Sequence, residues 1–161
     1  MLMDFTELAS SVGQALIKKS WRIVTAESCT GGWVAQVLTS VPGASACFER
    51  GFVTYSNKSK IELLGVAAET ITKYGTVSEQ TVSEMAQGAL QHSNAQISLA
   101  VTGLAGPTGG SEAKPIGTVW FSLVGKDLKL QAQSKHFTGD REEIRKQAVH
   151  FILQWLLEVL V

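Results

Sequence analysis

Residues 21–24 form a short apolar run that leads into Ala26-Glu27-Ser28-Cys29-Thr30-Gly31-Gly32, and Trp33-Val34-Ala35-Gln36-Val37-Leu38 follows at once. The order reads as a buried strand, a polar turn ending in two glycines, and a helix. A strand buried on both faces needs a layer of structure on each side, so this stretch confines the chain to α/β architectures. It also puts a hydroxyl, a thiol and a second hydroxyl at the carboxyl end of a strand. Ligands collect there in such folds, facing helix amides that carry partial positive charge.

The rest of the chain continues the alternation. Phe5, Leu8, Val12, Ala15 and Leu16 recur at helical spacing within 4–19, and Val41-Pro42-Gly43 stops the helix that follows the turn. A strand is expected over 47–55, with Gly51 marking a bulge or a close backbone approach. A short helix capped by Ser56 or Asn57 then ends at Gly65, and 66–77 reads as a surface connection. Ser78 caps a helix whose core stripe is Val82, Met85, Ala86, Ala89 and Leu90. The strand 97–101 runs into a second glycine-rich segment, Thr102-Gly103-Leu104-Ala105-Gly106-Pro107-Thr108-Gly109-Gly110. Strands over 117–124 and 128–137 make a hairpin, and Asp140 with Glu143 forms a capping box for a long final helix. The expected fold is a three-layer α/β/α sandwich with a mixed sheet, one domain over 1–161.

Composition excludes more than it selects. Lys+Arg and Asp+Glu balance at 14 each, so no basic excess points to nucleic acid. Cys29 and Cys47 make neither a disulfide framework nor a metal motif and fit a reducing compartment. No basic-then-apolar leader and no apolar run of membrane-spanning length is evident, which points to the cytoplasm.

Several residues could carry chemistry, each with a plainer alternative. Ser28 is a candidate nucleophile, or Ser28 and Thr30 simply cap the helix. Cys29 is the better nucleophile by type, although a buried structural cysteine is commoner. The surroundings are not a nucleophile elbow, because Ala26 and Thr30 stand where glycines are required. His92, His136 and His150 have no evident partners, which sets a Ser-His-Asp triad aside. Lys60, near the start of a short helix, becomes a general base if buried. By spacing alone it reads as a surface lysine, and Tyr55 as a core aromatic. The second glycine-rich segment is neither a Walker loop nor a dinucleotide fingerprint. Its amides can still meet a phosphate or carbonyl oxygen. Arg141 and Arg145, one helical turn apart, either clamp an anion or pair with surface acids.

As a set, these motifs resemble the CinA C-terminal family, the nicotinamide-nucleotide amidases. The likeness rests on Glu27 through Gly32, Tyr55-Ser56-Asn57 with Lys60, Gly75 through Ser78, and Thr102-Gly103 through Gly106-Pro107 with Gly109-Gly110. Pro115 to Trp120 and Gly139-Asp140-Arg141 with Arg145 complete it, in the family's order along nearly the whole chain. The resemblance implies hydrolysis of nicotinamide mononucleotide to nicotinate mononucleotide and ammonia, in recycling of pyridine nucleotides. It implies Ser28 as nucleophile, Lys60 as base and Tyr55 as helper. Thr30, Gly31, Gly32, Thr102, Gly103, Gly106, Arg141 and Arg145 would line the substrate site. The start of the Gly31-Gly32 helix, with Thr102 or Gly103, would hold the oxyanion. No metal or organic cofactor, no nucleic acid and no membrane is implied, and the assembly would be a homo-oligomer. The competing readings are a nucleotide-binding module that does no hydrolysis and an amidase for another small amide.

Overall fold

The computed structural model describes residues 2–161. Its elements are α1 (Phe5–Lys18), β1 (Ile23–Glu27), α2 (Trp33–Thr39), β2 (Phe48–Val53), α3 (Asn57–Leu64), α4 (Ala68–Tyr74), α5 (Glu79–Gln91), β3 (Ile97–Gly103), β4 (Thr118–Gly125), β5 (Leu128–His136) and α6 (Arg141–Leu160), with a single 3-10 turn at Ala44–Ala46. The strands form one mixed sheet in the order β2-β1-β3-β4-β5. β1 runs parallel to β2 and β3, and β4 runs antiparallel to β3 and β5.

Strand alternation sorts side chains into two cores. Ile23, Ile97, Leu99, Val101, Val119, Phe121 and Leu123 join the apolar faces of α1, α2 and α6. On the other face Val24, Ala26 and Ala100 meet Leu64 of α3 and Val82, Met85, Ala86 and Ala89 of α5. That is the expected three-layer sandwich. Both capping boxes at its ends are formed, Asp4 with Glu7 on α1 and Asp140 with Glu143 on α6.

The parallel triplet β2-β1-β3 positions the site. Its strands end on the same edge of the sheet, so the chain just beyond each end is brought side by side. Those continuations are Thr54-Tyr55 after β2, Ser28-Cys29 after β1 and Leu104 onward after β3. Two glycine-rich segments far apart in sequence thereby become neighbours.

Two local expectations are corrected, and of the two alternatives for Gly51 the close approach holds. β1 starts at Ile23 rather than Trp21, because the Trp21 amide is spent on the Leu16 carbonyl at the end of α1. The bulge in β2 lies at Glu49, where pairing jumps from Ile23–Phe48 to Val24–Arg50. Gly51 instead serves a close approach, since a Cβ there would sit 2.8 Å from Thr25 Oγ1. The stretch 66–77 contains helix α4, which has no buried residue and no side-chain cap and so leaves no periodic apolar signature.

Gly88 on α5 sets the depth of α3. A Cβ at that position would fall onto the Leu64 carbonyl, so only glycine lets the two helices touch. Gly88→Ala should lower stability by about 2 kcal/mol through overpacking, outweighing alanine's ~1 kcal/mol helix preference. Urea denaturation of the variant measures this, and an unchanged midpoint contradicts it.

Candidate active site

Ser28 extends β1 by one ladder bond, its amide donating to the Val101 carbonyl at 3.0 Å, and then the chain turns away. Its side chain points to the α3 and α5 face, where the Lys60 Nζ lies 2.9 Å from Ser28 Oγ. Lys60 is completely buried, the largest fully buried side chain in the structure. Nζ also lies 2.6 Å from the Thr54 carbonyl and 3.1 Å from that of Tyr55. Lys60 makes no carboxylate ion pair among the described residues. Burial drives its pKa down from 10.5 to about 8.

The three contacts suit both charge states of the amine. As an ammonium, Nζ donates to all three oxygens. As a neutral amine it keeps two N–H bonds to the carbonyls, and its lone pair faces Ser28 Oγ. In that second state the serine hydroxyl donates to nitrogen, which is the starting arrangement for proton removal.

Cys29, the rival nucleophile, is 7% exposed. Burial, reinforced by the Glu27 charge, pushes its thiol up to about 12, so it stays protonated near neutrality. The three histidines lie elsewhere. His92 Nδ1 is 2.7 Å from the Gly88 carbonyl, His136 Nε2 is 3.0 Å from Ile116 and His150 Nε2 is 2.9 Å from Met3.

Above Ser28 is a cleft of about 220 Å³, lined among others by Tyr55, Thr76, Thr102, Gly103, Leu104 and Arg141. A larger groove of about 290 Å³, between α1 and residues 41–47, has Cys47 as its only titratable lining group, so volume does not identify the site. Arg141 reaches the cleft from α6, with Nη1 donating to the Gly106 carbonyl at 2.8 Å and Nη2 to the Tyr55 hydroxyl at 3.1 Å. The Tyr55 phenol therefore faces Arg141, while its carbonyl faces Lys60. Thr102 donates its hydroxyl to the Thr76 carbonyl at 3.2 Å.

Other expected substrate residues are not in the lining of the cleft. Thr30 is fully buried and donates its hydroxyl to Glu27 Oε1 at 2.6 Å. Arg145 does not line the cleft. It donates from Nε to the Cys29 carbonyl at 2.9 Å and from Nη2 to that of Thr30 at 3.2 Å, while stacking on Trp33. Gly31 and Gly32 adopt positive φ of 61° and 101°, which a tight turn requires. The first amides of α2 are taken. Val34 and Ala35 donate to the Glu27 carboxylate at 2.8 and 3.0 Å, and Trp33 donates to the Thr30 carbonyl. Those amides are committed before any oxyanion arrives, which corrects the expectation that they would hold one.

The sequence assigns no role to Thr76 and reads Asn57 only as an alternative to Ser56 as cap of α3, and the cap is Ser56. Thr76 gives its hydroxyl to Asn57 Oδ1 at 2.6 Å, tying the cleft wall to the start of α3. Among the described residues no helix is long and apolar enough to cross a membrane. None of their His, Cys, Asp and Glu side chains form a metal-binding group of three or more.

A family model described as the CinA C-terminal domain matches residues 5–160. A protein named nicotinamide-nucleotide amidohydrolase PncC from Enterobacter agglomerans is 50% identical over 155 residues, covering 96% of this chain and 94% of that protein. A protein of the same name from Escherichia coli strain K12 is 48% identical, covering 95% and 93%. The crystal structure of the competence/damage inducible protein CihA from Agrobacterium tumefaciens superposes with a TM-score of 0.94. It is 40% identical, covering 99% of this chain and 98% of that one.

A buried lysine of this pKa predicts a pH signature that needs no substrate. Phenylmethylsulfonyl fluoride should label Ser28 with a rate that rises through pH 8, by roughly 50-fold between pH 6 and 8 as the neutral amine grows. Lys60→Met should abolish the labelling. The linkage has a definite sign. The unfolded lysine holds its proton up to 10.5 and the folded one only to about 8, so the native state gains stability as pH rises between those values. Denaturation of the wild type and Lys60→Met across that window reads the difference, and identical slopes would contradict it.

Proposed function

The chain belongs to the CinA C-terminal domain family, and from that membership we propose that it hydrolyses the carboxamide of nicotinamide mononucleotide. The products are nicotinate mononucleotide and ammonia, within pyridine-nucleotide recycling. One observation carries the reading: Lys60 Nζ lies 2.9 Å from Ser28 Oγ at a cleft floor. The names of the full-length relatives support the choice of substrate.

In this reading neutral Lys60 accepts the Ser28 proton as Oγ attacks the carboxamide carbon. The carbonyl π electrons move onto oxygen. The oxyanion donor is sought on β3. Leu104 donates to Thr118 of β4, so by ladder alternation the Gly103 amide points to the β1 side, where the chain has turned away. That amide is the proposed donor. When the tetrahedral intermediate collapses, the C–N bond breaks and protonated Lys60 gives its proton to the leaving ammonia. Water, deprotonated by the same amine, then cleaves the acyl-serine and restores Ser28. Tyr55 assists through its carbonyl, which helps to orient Nζ. Its phenol and Arg141 stand at the cleft mouth. There the guanidinium, free of any carboxylate partner among the described residues, takes the 5′-phosphate.

The proposal extends to a homo-oligomer. Val53 and Tyr55, at the edge-strand end, and Leu63 on α3 are 51%, 62% and 48% exposed, which supports burial against a second copy. Sedimentation equilibrium tests this, and a monomer at all concentrations counts against it.

Ammonia release from nicotinamide mononucleotide tests the function directly. Ser28→Ala and Lys60→Ala should each lose roughly 10⁴-fold in kcat. Arg141→Ala should raise KM for the nucleotide by roughly 10- to 100-fold and leave turnover of the riboside unchanged. Equal use of nucleotide and riboside by the wild type would remove the phosphate site from the proposal.

A further inference from the structure

The turn that carries Ser28 is gripped from both sides by opposite charges that take no part in the proposed chemistry. Glu27, the last residue of β1, is fully buried. Strand alternation sends its side chain to the face opposite Ser28, beneath α2. There its carboxylate accepts from the Thr30 hydroxyl, the Val34 amide and the Ala35 amide, at 2.6, 2.8 and 3.0 Å. Arg145 of α6 takes the acceptors of the same turn, the Cys29 and Thr30 carbonyls, at 2.9 and 3.2 Å. One charge collects the donors of the turn and the other its acceptors.

We infer that Glu27 and Arg145 are positioning residues, which fix the 28–30 turn so that Ser28 Oγ stays against Lys60 Nζ, and that neither touches substrate. The inference rests on Ser28 being the nucleophile. Three considerations support it. A buried carboxylate is costly unless its oxygens are satisfied, and here both accept hydrogen bonds from amides at the N-terminus of α2, with Oε1 accepting from Thr30 as well. An arginine that is bonded to carbonyls and stacked on Trp33 has little freedom to swing toward a phosphate. Gly31 lies under this grip, since a Cβ there would come within 3.4 Å of Arg145 Nη2.

The role differs from simple fold support in what it controls. Misplacing a reacting atom by an ångström costs roughly 100-fold in rate with little effect on binding. Glu27→Gln puts an NH2 where a donor must be accepted, so it disturbs the turn without a change in size. Arg145→Lys keeps the charge but cannot span two carbonyls. Steady-state kinetics on nicotinamide mononucleotide and its riboside, with the rate of phenylmethylsulfonyl fluoride labelling at Ser28, provide the readouts. Glu27→Gln and Arg145→Ala should each lower kcat roughly 100-fold, with KM within about 3-fold, the nucleotide-to-riboside preference kept and labelling slowed in parallel. Arg145→Lys should stay impaired. If Glu27→Gln fails to fold, Thr30→Val removes one of the three bonds in a near-isosteric way and should lower kcat by roughly 10-fold.

An Arg145→Ala variant with normal kcat and a KM raised for the nucleotide alone makes Arg145 a phosphate ligand and overturns the inference. So does unchanged kcat in Glu27→Gln or in Thr30→Val, or full activity in Arg145→Lys. Failure of the underlying reading looks different, because Ser28→Ala would then keep its activity whatever the clamp variants did.

Discussion

The structure depends on burying one lysine nitrogen. An ammonium taken out of water without a counter-charge is expensive, and the protein meets the cost with carbonyl oxygens rather than a carboxylate. Thr54 and Tyr55 supply them because β2 ends there, and Ser28 supplies the third contact because β1 ends beside it. α3 must then lie low enough to bring Lys60 to those oxygens, and Gly88 on α5 permits it. A carboxylate partner would hold the lysine charged at neutral pH. Carbonyls orient the amine yet leave it able to lose its proton near pH 8. The choice of acceptor thus leaves the buried amine suited to the base role proposed for it.

The same logic governs the opening turn. A helix N-terminus beside a strand end is a common place for an anion, and here the protein fills it with its own carboxylate. Glu27 takes the first amides of α2, so in the proposed mechanism an oxyanion is met by another backbone donor. The Gly103 amide is the one proposed, because β1 leaves the sheet one residue after Glu27 and uncovers that side of β3.

How much of this was legible in the sequence follows physical lines. Strands with both faces buried and helices with strong stripes announced themselves, as did side-chain caps at Ser56, Ser78 and Asp140. Elements without buried faces did not, and α4 read as loop for that reason. Lys60 reads as a surface residue because its burial depends on Gly88, 28 positions away, and on two carbonyls that no pattern of side chains encodes. The resemblance selected Lys60 without supplying that cause. Glu27 was quoted within the motif and given no role, since its three partners depend on how the turn closes.

Arg141 and Arg145 show why spacing alone misleads. One turn apart on α6, they read alike, as an anion clamp or as partners of surface acids, yet only Arg141 reaches the cleft. Arg145 lies under the 28–30 turn and spends its donors on carbonyls, whereas Arg141 holds a phenol and one carbonyl at the mouth. A phenol is a weak, neutral partner for a guanidinium, and a phosphate would displace it at small cost. Two carbonyls and an indole face hold Arg145 against the turn, outside the lining of the cleft. One helix thus presents a cation to the cleft and, four residues later, a cation to the backbone that carries the proposed nucleophile. That division of labour depends on the depth of each guanidinium and not on sequence spacing.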